Sequence, residues 1–129
     1  MSACSPWMLA QNKAVRVVFY VTSKDTLTHQ AVLGHPTGMS KAYRESYFEV
    51  VVYGGAITML LHDKSTVAKA IENVTVNKNV AFAVCSKTMK RYNIQQDQLL
   101  PGVIVVPDAI MEIVSKQSEG WGYIKESHH

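Results

Sequence analysis

The sequence predicts an α/β protein: a single domain with an open, mostly parallel sheet and helices on both faces. Three observations lead there. Runs rich in Val, Ile, Phe and Tyr alternate with helix-type segments along the chain. Those runs are continuously apolar rather than alternating apolar and polar, the pattern of strands covered on both sides. The 129 residues, 47% apolar and 18% charged, suffice for one core without disulfide or metal staples.

Ala14 to Val21 (AVRVVFYV) is β-branched and aromatic and reads as the first strand. Thr22 to Asp25 supplies turn and cap chemistry. A helix starts near Asp25, with Gly34, His35-Pro36 and Gly38 expected to interrupt it. Tyr47 to Tyr53 (YFEVVVY) is the second strand, ended by Gly54-Gly55, and Ala56 to Leu61 is a short helical piece. Ser65 to Val74 carries Val67, Ile71 and Val74 at helical spacing. Asn79 to Val84 is the third strand, Ser86 to Tyr92 a short helix, and Asp97 to Leu100 a turn. Gly102 to Val106 is the fourth strand. Asp108 to Lys116 is a helix with Ile110, Ile113 and Val114 expected on one face and Gly120 beyond its end. Gly122-Tyr123-Ile124 adds a last short strand. The domain spans residues 14–125, with a flexible segment at 1–13 and a tail at 126–129, where His128 and His129 read as a tag remnant.

Composition excludes several classes. A formal charge of +3 is too mild to imply nucleic-acid binding, and no basic-aromatic interleaving of an RNA-binding type occurs. Val50 to Leu61, the longest uncharged apolar stretch, contains two glycines and is far shorter than the roughly 20 residues of a membrane helix. Residues 1–12 make a poor signal peptide, and the two cysteines, Cys4 and Cys85, form no disulfide framework; both facts suit a reducing, cytoplasmic setting. His29, His35 and His62 lack metal-ligand spacing, and no metal or cofactor is expected.

Chemistry concentrates where the third strand ends. Cys85 sits at a strand-to-helix junction, followed by Ser86, Lys87, Thr88, Lys90 and Arg91, and no acid occurs between Glu72 and Asp97. Helix-start N–H groups and nearby cations favour a thiolate. No general base accompanies Cys85 in sequence, which disfavours a Cys–His hydrolase but leaves a thiol that accepts and passes on sulfur. In a parallel sheet Ser23, Gly54-Gly55, Cys85 and Pro107 all fall on the rim where ligands bind. Tyr53, Gly54 and Gly55 lack a dinucleotide or P-loop spacing. The bland alternatives are a buried core cysteine, a solvated basic helix face, a tight strand-to-helix turn and, at Trp121 and Tyr123, a core or interface aromatic pair.

Val80 to Ile94 (VAFAVCSKTMKRYNI) resembles the strand–Cys–short-helix segment of the DsrE/DsrF-like family, which includes the YchN proteins. Leu100 to Pro107 (LPGVIVVP), Gln117 to Ile124 (QSEGWGYI) and Val50 to Ile57 are similar to further segments of that family in the same order. The resemblance runs from about Ala14 to Lys125. It implies a compact α/β domain assembling into homo-oligomers, trimers or hexamers. It also implies that Cys85 carries sulfur as a persulfide, exchanged with small carrier proteins or rhodanese-type donors. Substrate contacts would come from Tyr53, Gly54, Gly55, Ser86, Lys87, Thr88 and Arg91. Family members often have His where this chain has Tyr53, so a histidine role does not carry over. The other classes are a non-catalytic oligomeric module binding a small anion, and a subunit of a hetero-oligomer with the active thiol on another chain.

Overall fold

The computed structural model describes residues 14–127; the flexible segment expected at 1–13, with Cys4, and His128 and His129 lie outside the described residues. Five strands, β1 (Arg16–Val21), β2 (Tyr47–Val52), β3 (Val80–Cys85), β4 (Ile104–Val106) and β5 (Gly122–Lys125), form one sheet in the order β4-β3-β2-β1-β5. Every pairing is parallel.

From β1 to β4 the chain steps along the sheet in one direction through α1 (Thr26–Ala42), α2 (Ala68–Thr75) and α3 (Ser86–Arg91). It then returns through α4 (Ala109–Ser118) to place β5 on the far side of β1. Right-handed crossovers in opposite directions put their helices on opposite faces. That is why α4 packs alone against β1, β2 and β5.

Strand alternation divides the core accordingly. Phe19, Val21, Phe48, Val50, Val52, Phe82 and Val84 join Val32, Leu33, Ile57, Leu60 and Ile71 in the larger cluster. Val18, Val51 and Cys85 point the other way and meet Ala109 and Ile113 of α4.

Two expectations are corrected. First, α1 is one continuous helix of 17 residues that runs through Gly34, Pro36 and Gly38. Its buried side, Thr28, His29, Val32, Leu33, Pro36 and Ser40, keeps helical spacing, so tertiary packing offsets the donor missing at Pro36. Asp25 caps its start by accepting from the Leu27 N–H at 2.9 Å.

Second, Ile110, Ile113 and Val114 do not share a buried face. Ala109 and Ile113 face inward, whereas Ile110, Met111 and Val114 are exposed. The inward stripe is narrow because Glu112 and Lys116 occupy the rest of it, approaching Glu49.

Smaller differences move ends by a residue or two. The glycine turn opens a 3-10 helix at Gly54–Leu60, and a second 3-10 turn spans Gln96–Gln98. Glu126, expected in the tail, is buried: its N–H donates to the Tyr20 carbonyl at 2.8 Å, and its carboxylate pairs with His35 at 2.8 Å. Among the described residues no helix is long and apolar enough to cross a membrane.

Candidate functional site

Cys85 is the last residue of β3 and the N-cap of α3, in extended backbone at φ −76° and ψ 128°. Its side chain makes no capping bond, so it does not occupy the N–H groups of the first helical turn. The thiol faces the α4 side of the sheet and is 1% exposed. Sγ points at the Pro107 carbonyl, 3.9 Å away, and the Ser86 hydroxyl donates to the same oxygen at 3.2 Å.

The register places Val52 opposite Val84, which sets Tyr53 and the glycine turn beside Cys85 on the rim. Gly54 has φ +62°, a conformation that costs glycine little. Its N–H donates to the Thr88 hydroxyl at 3.1 Å, tying the turn to α3 in a buried contact. At Gly55 a Cβ would meet the Lys24 Cβ at 3.0 Å, so close backbone approach favours glycine there too.

The basic run divides by role. Thr88 is buried, and its hydroxyl serves the glycine turn. Arg91 lies over the Tyr53 ring, 5.8 Å from its centroid, as a cation–π pair. Lys87 Nζ meets Asp108 Oδ2 at 2.8 Å. The acid-free stretch seen in sequence is therefore not acid-free in space, because Asp108 follows the neighbouring strand β4. The pairing lowers the Asp108 pKa, with N–H donation from Met111 and Ile110 adding to it, and raises that of Lys87.

Tyr20 was not among the residues singled out from sequence. Its ring lies 6.4 Å from that of Tyr53 and 6.5 Å from that of Tyr123, with Lys125 Nζ 5.1 Å from its own centroid. Burial raises its phenol pKa, and Tyr53, Tyr123, Cys85 and Asp108 push the same way. Tyr20 therefore stays a neutral phenol, packed against the cluster that holds the thiol.

A second cluster missed in sequence lies on the same face. Glu49 is 6% exposed, and its Oε2 has no hydrogen-bond partner among the described residues. Lys116 Nζ lies 3.7 Å from Glu49 Oε1 and 3.9 Å from Glu112 Oε2, and sits 4.7 Å from the Trp121 centroid. Desolvation first, then the neighbouring Glu112 carboxyl and its charge, push Glu49 up to about 8 against the opposing pull of Lys116. Glu49 is the one acid inside the apolar strand runs read from the sequence, and that anomaly was its only sequence signal.

The histidines are placed elsewhere. His29 is buried with Nε2 2.6 Å from the Ser23 carbonyl oxygen, His35 pairs with Glu126, and His62 is exposed. Beside α3 lies an open cleft of about 310 Å³, lined in part by Ser86, Lys90, Asn93 and Gln96.

With this geometry in place, comparison with known proteins is informative. The sequence model of the DsrE/DsrF-like family matches residues 16–125. The chain belongs to the DsrE/DsrF-like family. It is similar in structure to MTH1491 of Methanobacterium thermoautotrophicum, a protein of unknown function, at a TM-score of 0.80 and 30% identity, covering 86% of this chain and 98% of that one. YchN of E. coli superposes at a TM-score of 0.74 with 12% identity, covering 86% and 98%. BT1422 of Bacteroides thetaiotaomicron, a conserved protein of unknown function, gives 0.68 with 10% identity, covering 92% and 97%. The latter two likenesses concern the fold alone. Among curated proteins none matches the chain.

Proposed function

We propose that this protein is a cytoplasmic sulfur-trafficking protein with sulfurtransferase-like activity that carries sulfur as a persulfide on Cys85. One observation carries the reading: in a DsrE-like domain, the cysteine sits where the buried strand β3 meets α3, with Lys87 and Arg91 around it. The family is associated with sulfur relay in general, and the chemistry asks little more of the site than a thiolate and a way to hold an anion.

With thiosulfate as donor, the Cys85 thiol first loses its proton to solvent. The thiolate attacks the outer sulfur, a new S–S bond forms, and the old S–S bond breaks. Sulfite leaves with that electron pair, and Cys85 is left as a persulfide anion. No external oxidant or reductant is consumed. Lys87, Arg91 and the Ser86 N–H hold the donor, and Tyr53 with Gly54 and Gly55 forms the wall. The acceptor is a small carrier protein or a rhodanese-type partner.

Assembly belongs to the same reading. Ile110, Met111 and Val114 on α4 and Tyr123 and Ile124 on β5 are all 41–59% exposed, an apolar surface suited to a trimer or hexamer. The test is to incubate the protein with thiosulfate and a rhodanese, or with a persulfide donor, and to weigh the Cys85 peptide. A gain of one sulfur, absent in Cys85→Ser, is expected. No adduct, where a known carrier loads, overturns the reading.

A second reading rests on the burial of Cys85: a non-catalytic module that binds a small anion at the rim, with the cysteine as packing. Full function in Cys85→Ser would select it.

A further inference from the structure

A sulfur carrier needs its thiol in contact with a donor, yet Cys85 is 1% exposed. What covers it is specific. Ala109 and Ile113 of α4 pack on it, and the Pro107 carbonyl sits over Sγ while taking a second bond from Ser86. Asp108, which caps α4 by accepting from the Ile110 and Met111 N–H groups, is pinned by Lys87 of α3.

The cover is lightly built. β4, which leads into it, is a three-residue strand at the sheet edge, and only Ala109 and Ile113 of α4 are buried. Such a segment opens locally at far lower cost than the whole domain. Lys116 ties the far end of α4 to Glu49 of β2, whereas the ion pair at the Pro107–Asp108 corner lies at the surface, with the Lys87 side chain 70% and the Asp108 side chain 33% exposed. An incoming anion can therefore reach Lys87 from solvent.

We propose that the Pro107–Asp108 corner and the start of α4 form a gate over Cys85, latched by Lys87 and Asp108, and that an anionic sulfur donor opens it by replacing Asp108 on Lys87. The gate rests on the sulfur-carrier reading for its purpose, but its existence is a matter of thiol access alone. It makes Asp108 a positioning residue and Lys87 the group that meets the donor, and it restricts loading to donors with negative charge next to the transferable sulfur. Neutral disulfides and alkylating agents have to wait for spontaneous opening.

The full-length protein is treated with iodoacetamide, a neutral reagent, and the Cys85 peptide is followed by mass spectrometry, with the urea-unfolded chain as reference. The folded protein is expected to react about tenfold or more slowly than the unfolded one, and Lys87→Met several-fold faster than wild type. The direction in Lys87→Met is decisive, because a nearby cation favours thiolate and its loss by charge alone would slow the reaction. Lys87→Arg restores the slow rate. Chloride screens the latch and accelerates wild type but not Lys87→Met.

Sulfate at matched ionic strength accelerates wild type further, against its general tendency to tighten compact states. Wild type reacting at the unfolded rate, or Lys87→Met reacting no faster than wild type, overturns the gate. Sulfate acting no better than chloride overturns displacement by the donor. Failure of Cys85 to load sulfur leaves all these rates unchanged, so the two readings fail separately.

Discussion

The two faces of the sheet are built to different standards. Under α1, α2 and the 3-10 helix Gly54–Leu60, the odd positions of β1 and even positions of β2 and β3 bury an almost wholly apolar cluster with three phenylalanines. On the other face, Val18, Val51 and Cys85 at alternate strand positions join Ala109 and Ile113 of α4 in a cluster of five, beside Glu49, Tyr20 and Trp121. The first face supplies the packing that holds the sheet. The second is the thin side, where a helix with two inward apolar residues covers a thiol, a buried carboxyl and a row of tyrosines. The chemistry and the gate proposed above both fall on the side with less apolar packing, as expected where function draws on weakly held segments.

The sharpest way to break this contrast is truncation on each face. Phe82→Ala, on the packed side, is expected to cost about 3–5 kcal/mol in urea unfolding, and Ile113→Ala, on the thin side, about 2 kcal/mol. Equal losses would mean that α4 is as firmly seated as the helices opposite.

The next effect is a pH dependence specific to the thin face. The folded pKa of Glu49, about 8, lies above its ordinary value of 4.5. Between those values the folded chain keeps a proton that the unfolded chain has released. This stabilisation is complete below pH 4.5 and is lost as pH rises through about 8. Going from pH 6 to pH 9 is expected to lower wild-type stability by roughly 2–3 kcal/mol, and Glu49→Gln is expected to remove that slope in urea melts at the two pH values.

A smaller effect joins the faces at the rim. Thr88→Val leaves the Gly54 N–H buried without its acceptor and is expected to cost about 1–2 kcal/mol. The same change is expected to raise amide exchange at Gly54 if the turn is held from α3. The smallest effect on the fold is expected at the outer surface of α4: Ile110→Ser should change subunit stability by no more than about 0.5 kcal/mol. Under the proposed assembly the same variant is expected to sediment at lower mass than wild type in analytical ultracentrifugation, and an unchanged mass would overturn α4 as an assembly surface.

Much of the fold was legible because the signals are local. The apolar runs at Val17–Val21, Phe48–Val52 and Val80–Val84 could be read directly, and so could the junction at Cys85. The helix through Pro36 was not, since its proline and two glycines are breakers by propensity and only burial against β2 and α2 outweighs them. Nor was the inward face of α4, where Ile110 and Val114 have the right spacing for a core stripe but Glu112 and Lys116 take the inward positions against Glu49.

By itself, then, the sequence determined the order of strands and helices, the parallel sheet and the position of its internal cysteine at a basic strand-to-helix junction. Those depend on patterns spanning a few residues to a few turns. Only the tertiary structure decided that the junction is roofed by Pro107 and α4, that Lys87 is matched by Asp108, and that Tyr20 and Glu49 share its face. Lys87 and Asp108 are 21 residues apart, and β4 lying beside β3 is what joins them. Such pairings follow from strand order and crossover handedness, which no local pattern encodes.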